Sequence, residues 1–389
     1  MASSRDRSLQ TEIIHAGEHA QRDYGSIITP IFQSSIFVNR NDGDYDGIRY
    51  IRLNNTPTHL ALHEKLARLE QGEAALAVAS GMAAITSTLL GCLRCGDHLL
   101  VQESLYGGTH AFVKEDLADH GIAFDFIRID DPAQWREALK PNTRMVYTEA
   151  LSNPIMQVID HRAVIAFARE HQLISVIDST LMSPVNFRPL SLGYDLVVHS
   201  ATKYLNGHSD VMAGAIVGSE ARIRHIRHKV NHLGCSLNPL DCFLLHRGMR
   251  TLGVRVREQN HNALQLAAYL TNHPGVLRVN YPGLPENRYH VLAASLFDGY
   301  GGVLSIEIDA QRYDAGRIVA AAQLYADAVS LGSIESLITR PAHTSHSGMS
   351  AEDRHLAGIG EDLIRISVGL EAAEDLIADL DQAFAEGVR

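Results

Sequence analysis

The sequence predicts an α/β protein in which a mainly parallel sheet is covered by helices and followed by a smaller C-terminal α+β domain. Three observations carry that expectation. Short apolar runs recur at residues 74–79, 98–102, 123–127, 145–149, 173–178 and 196–198. Residues 59–70, 82–93, 132–139 and 160–171 show helical spacing, and strands alternating with helices are the pattern of a parallel sheet with both faces covered. After residue 250 the rhythm changes to a long helix at 254–270, strands at 301–308 and 363–367, and an amphipathic helix at 371–385.

Taken in order, residues 1–58 lack periodicity and hold turn formers such as N-R-N-D-G-D from Asn39, so they are expected to form an arm that packs on something else. Residues 59–250 make the expected large domain and 251–389 the C-terminal one. In the first helix Leu60, Leu62, Leu66 and Leu69 fall on or near one face. Ser80-Gly81 then turns a strand into a helix, and such a turn presents free backbone N–H groups to an anion.

A chain of 389 residues that is 46% hydrophobic can bury a large core. Its net charge of -11 argues against nucleic acid and anionic membranes as partners. No apolar run approaches a membrane span and residues 1–12 have no signal-peptide core, so a cytoplasmic location is expected. Four cysteines suit a reducing compartment. Cys92 and Cys95 form one C-L-R-C pair, but no second such pair follows and no metal is expected.

The chemistry centres on residues 195–214, D-L-V-V-H-S-A-T-K-Y-L-N-G-H-S-D-V-M-A-G. An apolar run delivers Lys203 among the hydroxyls of Ser200 and Thr202. A desolvated lysine loses its proton more easily, and a neutral amine attacks an aldehyde to form a Schiff base. With hydroxyls for a phosphate, that combination suggests pyridoxal 5'-phosphate (PLP). A second run, L-I-S-V-I-D, ends in Asp178 before Ser179 and Thr180. A carboxylate at a strand's carboxyl end, where open sheets bind ligands, can keep a pyridine nitrogen protonated and make the ring an electron sink. A surface lysine or a solvated strand-end aspartate would explain either residue alone, but not the pair.

Further motifs occur as S-G-M-A-A at Ser80, L-Y-G-G-T at Leu105, S-N-P at Ser152, S-A-T-K-Y-L-N-G-H-S-D at Ser200, S-L-G-S-I-E-S-L at Ser330 and L-I-R-I-S-V-G-L-E at Leu363. With them the sequence resembles the PLP-dependent transsulfuration enzymes of Cys/Met metabolism over almost its whole length. The resemblance implies the fold type I, aspartate-aminotransferase-like PLP fold with a seven-stranded type of sheet. It implies that Gly81 and Met82 cup the cofactor phosphate, and that Thr180, Ser200 and Thr202 join Asp178 and Lys203 around the cofactor. Tyr106 would stack on the ring and assist proton transfer, and Asn153 would contact the cofactor's phenolic oxygen and the substrate carboxylate. Arg365, assisted by Ser330, would clamp that carboxylate with its planar fork. Tyr50 and Arg52, in Y-I-R-L-N-N-T-P-T, would reach a neighbouring subunit's cofactor phosphate, with Tyr50 also near substrate, in a homotetramer built as a pair of dimers.

Four departures stand out. The Arg52–Pro57 link carries one extra residue, Ser179 replaces a usual asparagine, and Gly108 replaces the cysteine usual in methionine γ-lyases. Val329 stands where cystathionine γ-lyases and γ-synthases usually have glutamate. The implied activity is elimination of the β- or γ-substituent of an amino acid such as cystathionine, giving keto acid and ammonia. The alternatives are a γ-lyase for methionine or canavanine, a γ-replacement synthase of the cystathionine γ-synthase or sulfhydrylase type, a fold type I aminotransferase, and a cofactor-free interaction protein.

Overall fold

The computed structural model describes residues 7–18, 25–39 and 47–389. Residues 40–44 of the N-R-N-D-G-D turn lie outside that description. Twelve strands follow in chain order: Ala74–Val78 (β1), His98–Gln102 (β2), Ala123–Ile127 (β3), Thr143–Glu149 (β4), Ile174–Asp178 (β5), Leu196–Ser200 (β6), Gly214–Gly218 (β7), Val276–Asn280 (β8), Val303–Ile308 (β9), Ala326–Asp327 (β10), Leu337–Thr339 (β11) and Leu363–Ser367 (β12). Seven form a mixed sheet in the order β1-β7-β6-β5-β4-β2-β3, and five form a smaller sheet in the order β10-β11-β12-β9-β8.

The chain divides into two compact units. The first gathers Met1–Arg94, Ile174–Thr180 and Arg188–Gly253. In it β5 and β6 run parallel with Asp178 opposite Val198, while β7 is antiparallel to both β6 and β1. The β7 segment, G-A-I-V-G, is short and has a glycine at each end, and it is not among the strands expected from the sequence. Packing requires the first glycine: a Cβ on Gly214 would lie 2.0 Å from the Ser80 carbonyl oxygen.

Helix Pro57–Glu70 starts where the Thr56 side chain accepts the His59 N–H and Pro57 occupies the first turn. Leu62, Leu66 and Leu69 are 0–2% exposed, each burial worth about 1.5–3 kcal/mol. Leu60 does not join them and is 42% exposed, because two residues of helix carry a side chain about 200° around the axis. The longer link after Arg52 is absorbed by a short 3₁₀ turn, Ile51–Leu53, and by Asn54 in the left-handed region at φ 57°. The buried Asn54 amide is tied to the Ala77 carbonyl.

The second unit gathers Cys95–Leu173, Leu181–Phe187 and Val254–Arg389. There β2 runs parallel to β3 and β4. The smaller sheet is antiparallel apart from the β10–β11 pair. Helices Leu252–Thr271 and Ala373–Glu386 supply Leu266, Leu270, Leu376 and Phe384 to a core shared with Leu304, Ile306 and Ile364. Among the described residues no helix is long and apolar enough to cross a membrane.

His161, in the same unit, is fully buried with its ring against Phe187 and Phe297 and its Nε2 on the Ala150 carbonyl at 3.0 Å. Burial pulls its pKa down from 6.5 to about 4. The unfolded chain therefore binds a proton that the folded chain refuses between those values, so stability is complete above pH 6.5 and falls as pH drops toward 4. The loss should approach about 3 kcal/mol by pH 4. Thermal midpoints between pH 7 and 4.5 should show it, with a shallower slope for His161→Gln.

Candidate active site

In the first unit the apolar registers of β5 and β6 place two polar strand ends side by side. Asp178 closes β5, and its Oδ1 accepts from the Thr180 backbone N–H at 2.8 Å and from the Thr180 hydroxyl at 2.5 Å. The same hydroxyl accepts from the Ser200 N–H at 2.8 Å, joining the two strand ends through Thr180. Burial raises the Asp178 pKa, while the two Thr180 bonds and the His199 charge oppose the rise. Such a carboxylate is short of a cationic partner, and a protonated pyridine nitrogen is one.

Lys203 lies three residues beyond β6, in a turn where its N–H donates to the Ser200 carbonyl at 3.1 Å. Facing it in sequence order, helix Gly81–Cys92 begins at Ser80, whose hydroxyl accepts the Ala83 N–H at 3.0 Å. The N–H groups of Gly81 and Met82 head the first turn, where a helix has no internal acceptors and favours an anion. A Cβ on Gly81 would lie 2.7 Å from Ser200 Cβ and 2.9 Å from its Oγ, so the helix start and a serine hydroxyl meet here. Gly81→Ala should therefore cost about 1–3 kcal/mol by overpacking and weaken retention of an anionic ligand, read as a lower melting temperature and a raised cofactor dissociation constant.

Thr202 uses its hydroxyl within the fold, donating to the Ala213 carbonyl at 3.2 Å and accepting the Ala213 N–H at 3.0 Å. Arg52 spends one guanidinium N–H on the Asn231 carbonyl at 2.8 Å, and Tyr50 is 37% exposed beside it. Ser179 is fully buried, and its hydroxyl has no hydrogen-bond partner among the described residues. The Cys92 thiol is pushed up to about 11, chiefly by burial, which disfavours the thiolate a metal would need.

The second unit carries the other candidates. Arg365, on β12, is 3% exposed; its Nη2 donates to the Ser330 carbonyl at 2.8 Å and its Nη1 to Asn153 Oδ1 at 3.3 Å. Arg365, Asn153 and Ser330 thus come together, although 212 residues separate the first two. Ser330 has φ 107°, a conformation side chains rarely adopt. Tyr106 heads helix Gly107–Ala111, and its N–H donates to Glu149 Oε1 at 2.7 Å, leaving the ring 43% exposed. Glu149 was not singled out in the sequence, where it reads as the end of an apolar run.

PLP needs an amine for its aldehyde, a carboxylate for its pyridine nitrogen and an anion site for its phosphate. The first unit provides Lys203, the buried Asp178 carboxyl at the end of β5, and the Ser80–Met82 helix start beside Ser200, so its residues fit the cofactor.

The comparisons with known proteins agree. The cystathionine β-lyase of Coxiella burnetii is 38% identical over 384 residues, 98% of this chain and 99% of that protein. The L-methionine γ-lyase of Porphyromonas gingivalis is 40% identical over 381 residues, 95% of each. A crystal structure of cystathionine γ-lyase from Lactobacillus plantarum complexed with L-serine superposes with a TM-score of 0.94 at 36% identity, over 98% of this chain and all of that one. The profile of the Cys/Met metabolism PLP-dependent enzymes matches residues 10–385. Matched over nearly its whole length by profile, sequence and fold, the chain belongs to the Cys/Met metabolism PLP-dependent enzyme family, and its cofactor is pyridoxal 5'-phosphate.

Proposed function

We propose that this PLP-dependent lyase cleaves the β- or γ-substituent from a sulfur amino acid such as cystathionine, releasing a keto acid and ammonia. The observation that carries the reading is the Arg365–Asn153–Ser330 cluster, a buried guanidinium suited to an amino-acid carboxylate. The β- and γ-lyase names of its relatives support the reaction class. PLP held at Lys203 supplies an electron sink for negative charge at the substrate's α-carbon.

The protein's own groups do the rest. Arg365 binds the substrate carboxylate, with Asn153 orienting the guanidinium and Ser330 holding its other arm. The Lys203 amine, once displaced, takes the α-proton. Asp178 keeps the ring nitrogen protonated, and Gly81, Met82 and Ser200 hold the phosphate, with Thr180 fixing Asp178 and Thr202 fixing the turn that carries Lys203. Tyr106 gives a proton to the departing atom. For a γ-substituent a second proton must leave the β-carbon before the bond breaks.

The same reading includes a cytoplasmic homotetramer of paired dimers. Its arm, residues 1–58, would lend Tyr50 and Arg52 to the neighbouring subunit's cofactor phosphate, beside a large domain of residues 59–250 and a C-terminal domain of 251–389. Product analysis tests the activity. Pyruvate from cystathionine establishes β-elimination and 2-oxobutanoate establishes γ-elimination, whereas a cofactor-loaded protein inert to cystathionine, methionine, homocysteine and canavanine overturns the lyase reading.

A further inference from the structure

Among the buried titratable groups that this mechanism does not use, His346 has the most consequential surroundings. It lies in the segment between β11 and β12 and is 1% exposed. The segment is anchored by its own backbone: the His346 N–H donates to the Pro341 carbonyl at 2.9 Å, and its carbonyl accepts the Met349 N–H at 3.1 Å. The Ser345 hydroxyl and His346 Nδ1 are 2.8 Å apart. The carbonyl oxygen of Ser345 sits only 2.7 Å from where a Cβ on Gly107 would be, so this backbone packs directly on the residue after Tyr106.

The ring itself is bounded by three segments with proposed roles. The backbone of Leu105, just before Tyr106, and that of Asn153 both favour its charged form, as nearby carbonyl acceptors do. Burial first, and the Arg365 charge second, outweigh them and pull its pKa from 6.5 to about 4, with His110 adding a little. The imidazole is therefore neutral at working pH. Arg365 is then the charged member of the His346–Arg365 pair. Nε2 is buried and has no well-aligned hydrogen-bond partner among the described residues.

We propose that His346 is a positioning residue, whose buried ring braces the Tyr106 loop, the Asn153 turn and the Arg365 strand against one another so that substrate carboxylate binding and proton delivery keep one geometry. The proposal rests on the reading that Arg365 holds the substrate carboxylate. It goes beyond that reading by assigning the alignment of the cluster to a residue that touches neither substrate nor cofactor.

The test compares His346→Phe, His346→Gln and Arg365→Lys in the holoenzyme. For each, kcat and KM are measured with the substrate found by product analysis, together with the dissociation constant of an amino acid that lacks a leaving group, read from the cofactor's absorbance. Melting temperature and PLP content are recorded alongside. His346→Phe, which fills the space without ring nitrogens, should raise KM and that dissociation constant about tenfold and lower kcat severalfold, the cost of about 1.4 kcal/mol of misalignment. His346→Gln, which restores an amide donor and acceptor, should recover most of the loss. If Arg365→Lys raises KM while His346→Phe changes only the melting temperature, the proposal fails and the carboxylate reading stands. If Arg365→Lys leaves KM and the dissociation constant unchanged, the carboxylate reading itself fails. Should His346→Phe not fold, His346→Asn is judged by the same constants, with values within twofold of the parent overturning the proposal.

Discussion

Replacing Lys203 with alanine is expected to abolish the visible absorption of the lysine-bound cofactor and to lower turnover by at least about 10³–10⁴-fold. The estimate follows from the two tasks assigned to one amine. In the proposed mechanism Lys203 would hold the cofactor covalently and also take the α-proton, and loss of a positioned general base alone costs about 10²–10⁴. The turn carrying Lys203 does not depend on its side chain: it is held by the Lys203 N–H on Ser200 and the Gly207 N–H on the Lys203 carbonyl at 2.8 Å. The variant should therefore fold, melt near the parent and still take up PLP reversibly at the Ser80–Met82 helix start. A Lys203→Ala protein that keeps the visible band would remove Lys203 from the mechanism.

Asp178→Asn should lower kcat on the order of 10²–10³-fold, the range seen when one preorganised electrostatic partner is lost. An amide oxygen can still accept both Thr180 hydrogen bonds, so the link through Thr180 to Ser200 survives. What disappears is the charge that keeps the ring nitrogen protonated. Burial opposes that charge in the protein without its ligand, so the cofactor-free variant should melt at the parent's temperature or above it, a trade of stability for function common at active sites. Melting of the apo chain together with kcat of the reconstituted enzyme checks both halves. Unchanged turnover would remove Asp178 from the ring nitrogen.

Much of this was legible in the sequence because it is written in short-range order. The strands at 98–102, 123–127 and 363–367 coincide with β2, β3 and β12, since each is a compact apolar run bounded by polar residues. Asp178 and Lys203 could be picked out for the same reason: Asp178 closes such a run and Lys203 lies in the turn after one, and the chemistry of an acid and an amine near strand ends is a local property. Family motifs then brought in Tyr106, Asn153, Ser330 and Arg365 one by one.

Only the tertiary structure decided how those groups are held. The strand β7 was invisible because G-A-I-V-G is shaped by a close backbone approach at Ser80 rather than by a pattern. Leu60 is expected on or near the apolar face of its helix by spacing, and it faces outward because it lies about 200° around the axis from Leu62. The hydroxyl of Thr202 turned out to be tied to Ala213, and that of Thr180 to link Asp178 with Ser200. Glu149 beneath Tyr106, and His346 beside Asn153 and Arg365, carry no signal in the linear chain. Periodicity records which face of an element is buried, whereas hydrogen bonds between residues two hundred positions apart exist only once the elements have packed. The sequence therefore determined most strands of the larger sheet, the family and its cofactor, and pointed to a lysine and an aspartate for it, whereas packing decided the alignment of Arg365 with Asn153 and Ser330.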